Sequence, residues 1–102
     1  MKIPNDPFII ELLPEFLETW QGDIDNQLPA ILKERDTREL YRFGHTLKGS
    51  CFQFGFEETA QLGIELMGCS KEENWDKAFE MEKKIKQAFS EIKVFVESQL
   101  NK

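Results

Sequence analysis

Hydrophobic residues recur every three or four positions along nearly the whole chain, which is the spacing of one face of an α-helix. The alternation of apolar and polar residues with period two, which would indicate β-strands, does not occur in runs of useful length. Short turns at 35–37 and 55–56 and a polar connection at 69–74 divide the pattern into helical stretches. The pattern therefore predicts an all-α fold.

Two acidic residues mark the starts of helices. Asp6 is followed by a proline, as expected for an N-cap with proline at the first helical position. Asp36 and Glu39 have the spacing of a capping box, in which the N-cap acid accepts from the N3 amide and the N3 glutamate reaches back. The helix after Asp36 should run to Phe54, because Gly55 tolerates the positive φ that commonly ends a helix.

Prolines interrupt the first hydrophobic stretch, which extends to Glu34. Pro14 lacks a backbone donor and should break or kink a helix that contains it. We therefore expect a short first helix from Phe8 to Leu13 and a second helix that begins near Pro14. Gly22 and Pro29 should weaken the second helix locally.

Two more helices are predicted in the second half of the chain. One spans Glu57 to Gly68, and the face that carries Gly63 and Ile64 is expected to pack closely against a neighbour. The last helix ends near Gln99. Its N-cap is either Ser70, as part of a second capping box, or Asn74.

These elements predict an antiparallel four-helix bundle with a short additional N-terminal helix. The 102 residues suit one domain, which we assign to 1–102. The sequence has no run of about 18 apolar residues, so no membrane partner is expected. A net charge of −6 argues against nucleic acid. With only two cysteines, a reducing cytoplasm is the expected location, and we expect a monomer.

His45 is the only histidine, and the helical wheel sets it apart from the core. At about 100° per residue, it lies opposite an apolar stripe. The members of this stripe follow the spacing i, i+3, i+7, i+11 and i+14, and they are Leu40, Phe43, Leu47, Cys51 and Phe54. The wheel therefore disfavours a buried core histidine, but by itself it leaves an ordinary surface histidine open.

The neighbours of His45 on the wheel favour a functional site. Lys48, three residues on, can place an ammonium beside the imidazole, and Gly49, four residues on, leaves space for a bulky group. An interior helical glycine costs about 1 kcal/mol relative to alanine. Close helix packing is the other explanation of Gly49. Arg38 and Arg42 share the side of the helix that carries His45, as do the aromatic residues Tyr41 and Phe52, and these four are candidate partner-binding residues.

The segment from His45 to Cys51, followed by Phe54 and Gly55, closely resembles the signature of the histidine-phosphotransfer (HPt) domain of two-component phosphorelays. That signature is His-x-apolar-Lys-Gly-small-small, followed by an apolar residue and a glycine. The resemblance extends from about Phe8 to Leu100. It implies that His45 is the phosphoacceptor, through Nε2, that Lys48 supports the charge of the phosphoryl group, and that Gly49 provides clearance.

The resemblance also implies a partner and a role. The expected partner is a response-regulator receiver domain, for which a hybrid sensor histidine kinase is one source, and the receiver would bring the phosphorylated aspartate and Mg²⁺. No Walker or kinase glycine-rich loop is present, so we expect a phosphocarrier rather than an enzyme that uses ATP. No metal site or cofactor of its own is expected. Two alternatives stay open, a helical adaptor that binds receivers without transfer and a plain adaptor or metal site.

Overall fold

The computed structural model describes residues 6–100 and is helical through most of this range. The elements are α1 (Pro7–Gly22), a π-helical segment (Asp23–Gln27), α2 (Leu28–Glu34), α3 (Thr37–Gln53), α4 (Glu57–Glu72) and α5 (Trp75–Leu100). No strand occurs among these residues. The all-α prediction is confirmed, and the extension of one domain over the whole of 1–102 stays a prediction.

The first two helices and the π-helical segment form one continuous rod, Pro7–Glu34. The residues at both junctions have right-handed helical dihedral angles. The expected short helix from Phe8 to Leu13 is the beginning of α1 rather than a separate element, since α1 continues through Pro14. Pro14 is exposed, so the carbonyl that loses its donor lies towards solvent, while Leu13 and Leu17 remain buried. Packing of the apolar face outweighs the local cost of the proline.

The π-helical segment lies between Gly22 and Pro29, the two positions expected to weaken the rod. The Leu28 amide donates to the Asp23 carbonyl, five residues back. The Pro29 ring would collide with the carbonyl of Asp25 in a regular α-helix, and a wider turn accommodates it. The Asn26 side-chain amide donates to the Gly22 carbonyl at 2.9 Å, which satisfies one acceptor at this irregular point.

Helix α3 begins at the predicted N-cap. The Asp36 carboxylate accepts from the Glu39 amide at 3.1 Å. The reciprocal half of the capping box does not form, because the Asp36 amide donates to the Ile31 carbonyl and the Glu39 carboxylate contacts Arg42. The helix ends as predicted, with Gly55 at φ 85° immediately after Phe54.

Helix α4 extends further than expected, to Glu72 instead of Gly68. Ser70 is therefore inside α4 and caps no helix, while the Asn74 side chain accepts from the Lys77 amide at 3.1 Å and starts α5. The buried face of α4 also differs from the prediction. Leu66 is fully buried, whereas Ile64 is 38% exposed.

The rod, α3, α4 and α5 form a four-helix bundle, which confirms the predicted architecture. Turns of two or three residues join them, at 35–36, 54–56 and 73–74, and such short turns make consecutive helices antiparallel. Each helix packs against the next in chain order, and α5 packs back on the rod. The described residues span 44 × 20 × 17 Å.

Aromatic rings fix the rod against the rest of the bundle. The Phe16 ring lies 4.4 Å from that of Phe54 and 5.9 Å from that of Phe89, measured between centroids. Trp20 meets Phe43 edge to face at 5.6 Å. Such pairs contribute about 0.5–1.5 kcal/mol beyond their buried area. Because Phe43 belongs to the buried stripe of α3, this contact holds the opposite side of α3 towards solvent.

Two glycines allow α3 and α4 to approach closely. A Cβ atom built on Gly63 would lie 2.6 Å from the Gly44 carbonyl oxygen and 2.7 Å from the Lys48 amide nitrogen. A Cβ atom on Gly44 would lie 2.6 Å from the Gly63 carbonyl oxygen. The helices therefore touch through their backbones. The close packing predicted for Gly63 is confirmed, and its counterpart is the glycine that immediately precedes His45.

Candidate functional site

His45 is exposed on the outer side of α3, and the buried stripe of that helix lies behind it. Leu40, Leu47 and Cys51 are fully buried and Phe43 is nearly so, as the helical wheel predicted. Phe54 is only half-buried, at the end of the stripe. The imidazole is thus presented to solvent by a helix whose opposite side is fixed in the core.

Gly49 lies one turn beyond His45 and is exposed. A Cβ atom at this position would have no other atom within 4 Å, apart from its own helix and chain neighbours. Close helix packing, the alternative explanation of Gly49, therefore does not apply. The space beside the imidazole is open, and a group the size of a phosphoryl can enter it.

The Lys48 side chain is half-buried, and its backbone is held by packing against α4. Its amide nitrogen and Cα atom are the atoms that Gly63 of α4 packs against. This contact fixes the position of the Lys48 Cα atom, from which the side chain extends. Lys48 can therefore offer its ammonium near His45 from a defined position on the α4 side of the imidazole.

Arg38 and Arg42 are both exposed on α3. Arg42 is not an unpaired cation, because its guanidinium contacts the Glu39 carboxylate at 3.1 Å. At such exposure the pair contributes little to stability, but it reduces the positive charge that Arg42 can offer to an incoming anion.

The Tyr41 ring lies parallel to the imidazole of His45, with 6.4 Å between the centroids and 6° between the planes. Tyr41 is half-buried. The Lys71 ammonium, from the last turn of α4, lies 5.7 Å from the centroid of the Tyr41 ring. This distance is within the range of a cation–π interaction. Lys71 is a member of the site that the sequence did not indicate, because the contact depends on how α3 and α4 pack.

Phe52 is 42% exposed and lies on the same side of α3 as His45. Ile64 on α4 is also exposed, although it was expected to be buried. Aromatic side chains are enriched in protein interfaces. Along α3, Tyr41 lies before His45 and Phe52 after it, on the side of the helix that the helical wheel predicted.

The two cysteines belong to the core rather than to the site. Both are buried and free. Burial raises the pKa of the Cys51 thiol to about 12, and burial also raises the pKa of Cys69. A thiol with a raised pKa is a poor nucleophile at neutral pH. In the part of the chain that the structure describes, no three His, Cys, Asp or Glu side chains gather into a group that could hold a metal ion.

The family comparison agrees with the all-α fold. A family model described as Hpt domain matches residues 11–94. The chain therefore belongs to the Hpt domain family. No curated protein and no solved structure matches the chain.

Membership defines the class of protein. Hpt domains are helical phosphocarriers of two-component phosphorelays rather than kinases, and they interact with response-regulator receiver domains. The chain accordingly has a phosphotransfer-domain role in two-component signalling. None of the helices within residues 6–100 combines the length and the apolar character needed to cross a membrane.

Proposed function

We propose that this protein accepts a phosphoryl group from a receiver-domain aspartate on His45 and passes it to the aspartate of another receiver. The observation that carries this proposal is the exposed imidazole beside the open space at Gly49, on a helix whose other side is buried. The bundle supplies a rigid support for a nucleophile, and the open face admits a second protein.

The chemistry requires an unprotonated imidazole nitrogen, which we assign to Nε2 from the resemblance. Histidine is neutral over part of the physiological pH range, and the neutral ring is a nucleophile. The nitrogen forms a bond to phosphorus as the bond from phosphorus to the aspartyl oxygen breaks, and the carboxylate leaves with the electron pair. The reverse reaction transfers the group to the next aspartate.

Lys48 and Gly49 would act differently in this reaction. The Lys48 ammonium would compensate the charge of the phosphoryl group, since charge neutralisation and positioning dominate phosphoryl transfer. Gly49 would provide clearance for the group and for the receiver loop that carries it. The receiver would hold the Mg²⁺ ion.

The docking surface would consist of Tyr41 and Phe52 with the basic residues Arg38 and Arg42. Exposed aromatic and arginine side chains are enriched in protein interfaces. We further propose that the domain acts as a monomer in the cytoplasm, where receiver domains and their kinases operate.

The test is phosphotransfer from a panel of purified phosphorylated receivers, with His45→Gln as the matched control. We expect at least one receiver to label the wild type and none to label His45→Gln, and a second receiver added later should remove the label. Equal labelling of both proteins would refute the assignment of His45. Receivers that bind the wild type without forming phosphohistidine would favour the non-transferring adaptor instead.

A further inference from the structure

Lys71, Tyr41 and His45 form a stack that joins two helices. The Lys71 ammonium lies 5.7 Å from the centroid of the Tyr41 ring, and that ring is parallel to the imidazole, at 6.4 Å. Tyr41 precedes His45 by one helical turn, whereas Lys71 lies far away in the sequence. The arrangement therefore depends on the packing of α4 against α3.

Two contacts hold these helices in the register that the stack needs. The backbones touch at Gly44 and Gly63, where no side chain separates them. Near the start of α3, the Ser70 hydroxyl of α4 donates to the Thr37 carbonyl. Lys71 follows Ser70 directly, and its root is therefore fixed near Tyr41 although its side chain is exposed.

A cation over an aromatic face is attracted by the negative charge of that face. The Lys71 ammonium therefore favours the rotamer of Tyr41 in which the ring lies beneath it. In that rotamer the Tyr41 ring is parallel to the imidazole, and at 6.4 Å between centroids it restricts those rotations that would swing the His45 ring towards it. Transfer needs the ring nitrogen aimed in line with the leaving group, so the orientation of the imidazole affects the rate.

We propose that Lys71 is a positioning residue for His45 and acts through the ring of Tyr41. This inference rests on the proposed function of His45 as phosphoacceptor, and it adds a residue of α4 to the site. At exposed positions a cation–π contact is weak, so the largest effect that Lys71 can pass to His45 is about two- to five-fold in rate.

The experiment uses phosphoramidate, a small phosphodonor, so that docking to a receiver plays no part. The imidazole nitrogen forms a bond to phosphorus, the phosphorus–nitrogen bond of phosphoramidate breaks, and ammonia leaves. Phosphorus NMR follows the rate for the wild type, Lys71→Met, Tyr41→Leu and the double variant. Lys71→Arg tests rescue by another cation, and Lys84→Met on α5 is the matched control.

We expect Lys71→Met to slow phosphorylation about two- to five-fold, and Lys71→Arg and Lys84→Met to stay near the wild-type rate. In the Tyr41→Leu background, Lys71→Met should cause no further decrease. An equal decrease in both backgrounds would show that Lys71 acts directly on the phosphoryl group and would overturn the inference. So would a Lys71→Met rate equal to that of the wild type.

The outcome also separates this inference from the proposed function. If phosphoramidate labels His45 with the expected pattern among the variants but no receiver transfers to it, the proposed function fails and the inference stands. If receivers label His45 but Lys71→Met is unchanged, the reverse holds. A wild type that phosphoramidate leaves unlabelled at His45 would overturn the inference.

Discussion

The contact between the backbones of α3 and α4 makes Gly63→Ala the most informative substitution in the bundle. The new Cβ atom would lie 2.6 Å from the Gly44 carbonyl oxygen, about 0.8 Å short of the 3.4 Å at which ordinary contact begins. It would also lie 2.7 Å from the Lys48 amide nitrogen. Both neighbours are backbone atoms of a helix, and neither can move aside by changing a rotamer.

Two opposing effects set the magnitude. Replacing an interior helical glycine by alanine stabilises a helix by about 1 kcal/mol. Overpacking typically costs about 1–3 kcal/mol, and the upper value applies where backbone must shift. We therefore expect Gly63→Ala to lower the free energy of unfolding by about 2 kcal/mol, which for a domain of this size is a fall in Tm of roughly 8–16 °C.

Gly68→Ala is the matched control, because it lies on the same helix and its Cβ atom would have no other atom within 4 Å. It should raise the free energy of unfolding by up to about 1 kcal/mol. Urea unfolding, followed by the far-ultraviolet circular dichroism of the helices, measures the free energy of unfolding of both variants. Equal stability of Gly63→Ala and Gly68→Ala would refute the close contact between α3 and α4.

Two further predictions concern Gly49 and Cys51. Gly49→Ala should leave the fold intact, with a gain in stability of up to about 1 kcal/mol, yet it should slow the labelling of His45 by phosphorylated receivers. The control is Gly22→Ala, whose Cβ atom would also have no neighbour within 4 Å, and it should leave labelling unchanged. Unimpaired labelling of Gly49→Ala would contradict the clearance role. The Cys51 thiol ionises from about pH 9 in the unfolded chain but stays protonated to about pH 12 in the folded protein. Its contribution to the free energy of unfolding is therefore complete below about pH 9. That contribution is lost as the pH rises through this window, by up to about 1.4 kcal/mol per pH unit. Urea unfolding at a series of pH values should show a shallower decline for Cys51→Ala, and parallel declines would contradict the burial of the thiol.

The features that the sequence predicted well are those with a local or periodic cause. The buried stripe of α3 follows from helical spacing, and the N-caps Asp6 and Asp36 follow from side chains that accept nearby amides. The exposure of His45 follows from the same periodicity. Lys48 and Gly49 lie beside it because three and four residues make one helical turn.

The features that it missed depend on contacts between distant segments. Pro14 was expected to break or kink the helix, with a second helix beginning near it, but α1 continues through Pro14 because its face is buried on both sides. Gly44 attracted no prediction, although an interior helical glycine immediately before His45 was a signal that could have been paired with Gly63. The contact of Lys71 with Tyr41 could not be predicted, since it requires the distance between two helices.

The π-helical segment at Asp23–Gln27 has a consequence for the length of the chain. In a regular α-helix, the eight steps of about 100° from Trp20 to Leu28 would turn Leu28 about 80° away from the direction of Trp20. Both residues are nevertheless buried in one core. A wider turn absorbs one surplus residue and returns Leu28 to within about 20° of Trp20. The rod therefore holds one amino acid more than its helical path requires. A π-helical bulge of this kind lets a single-residue insertion persist, because the rest of the helix keeps its orientation towards the helices it packs against.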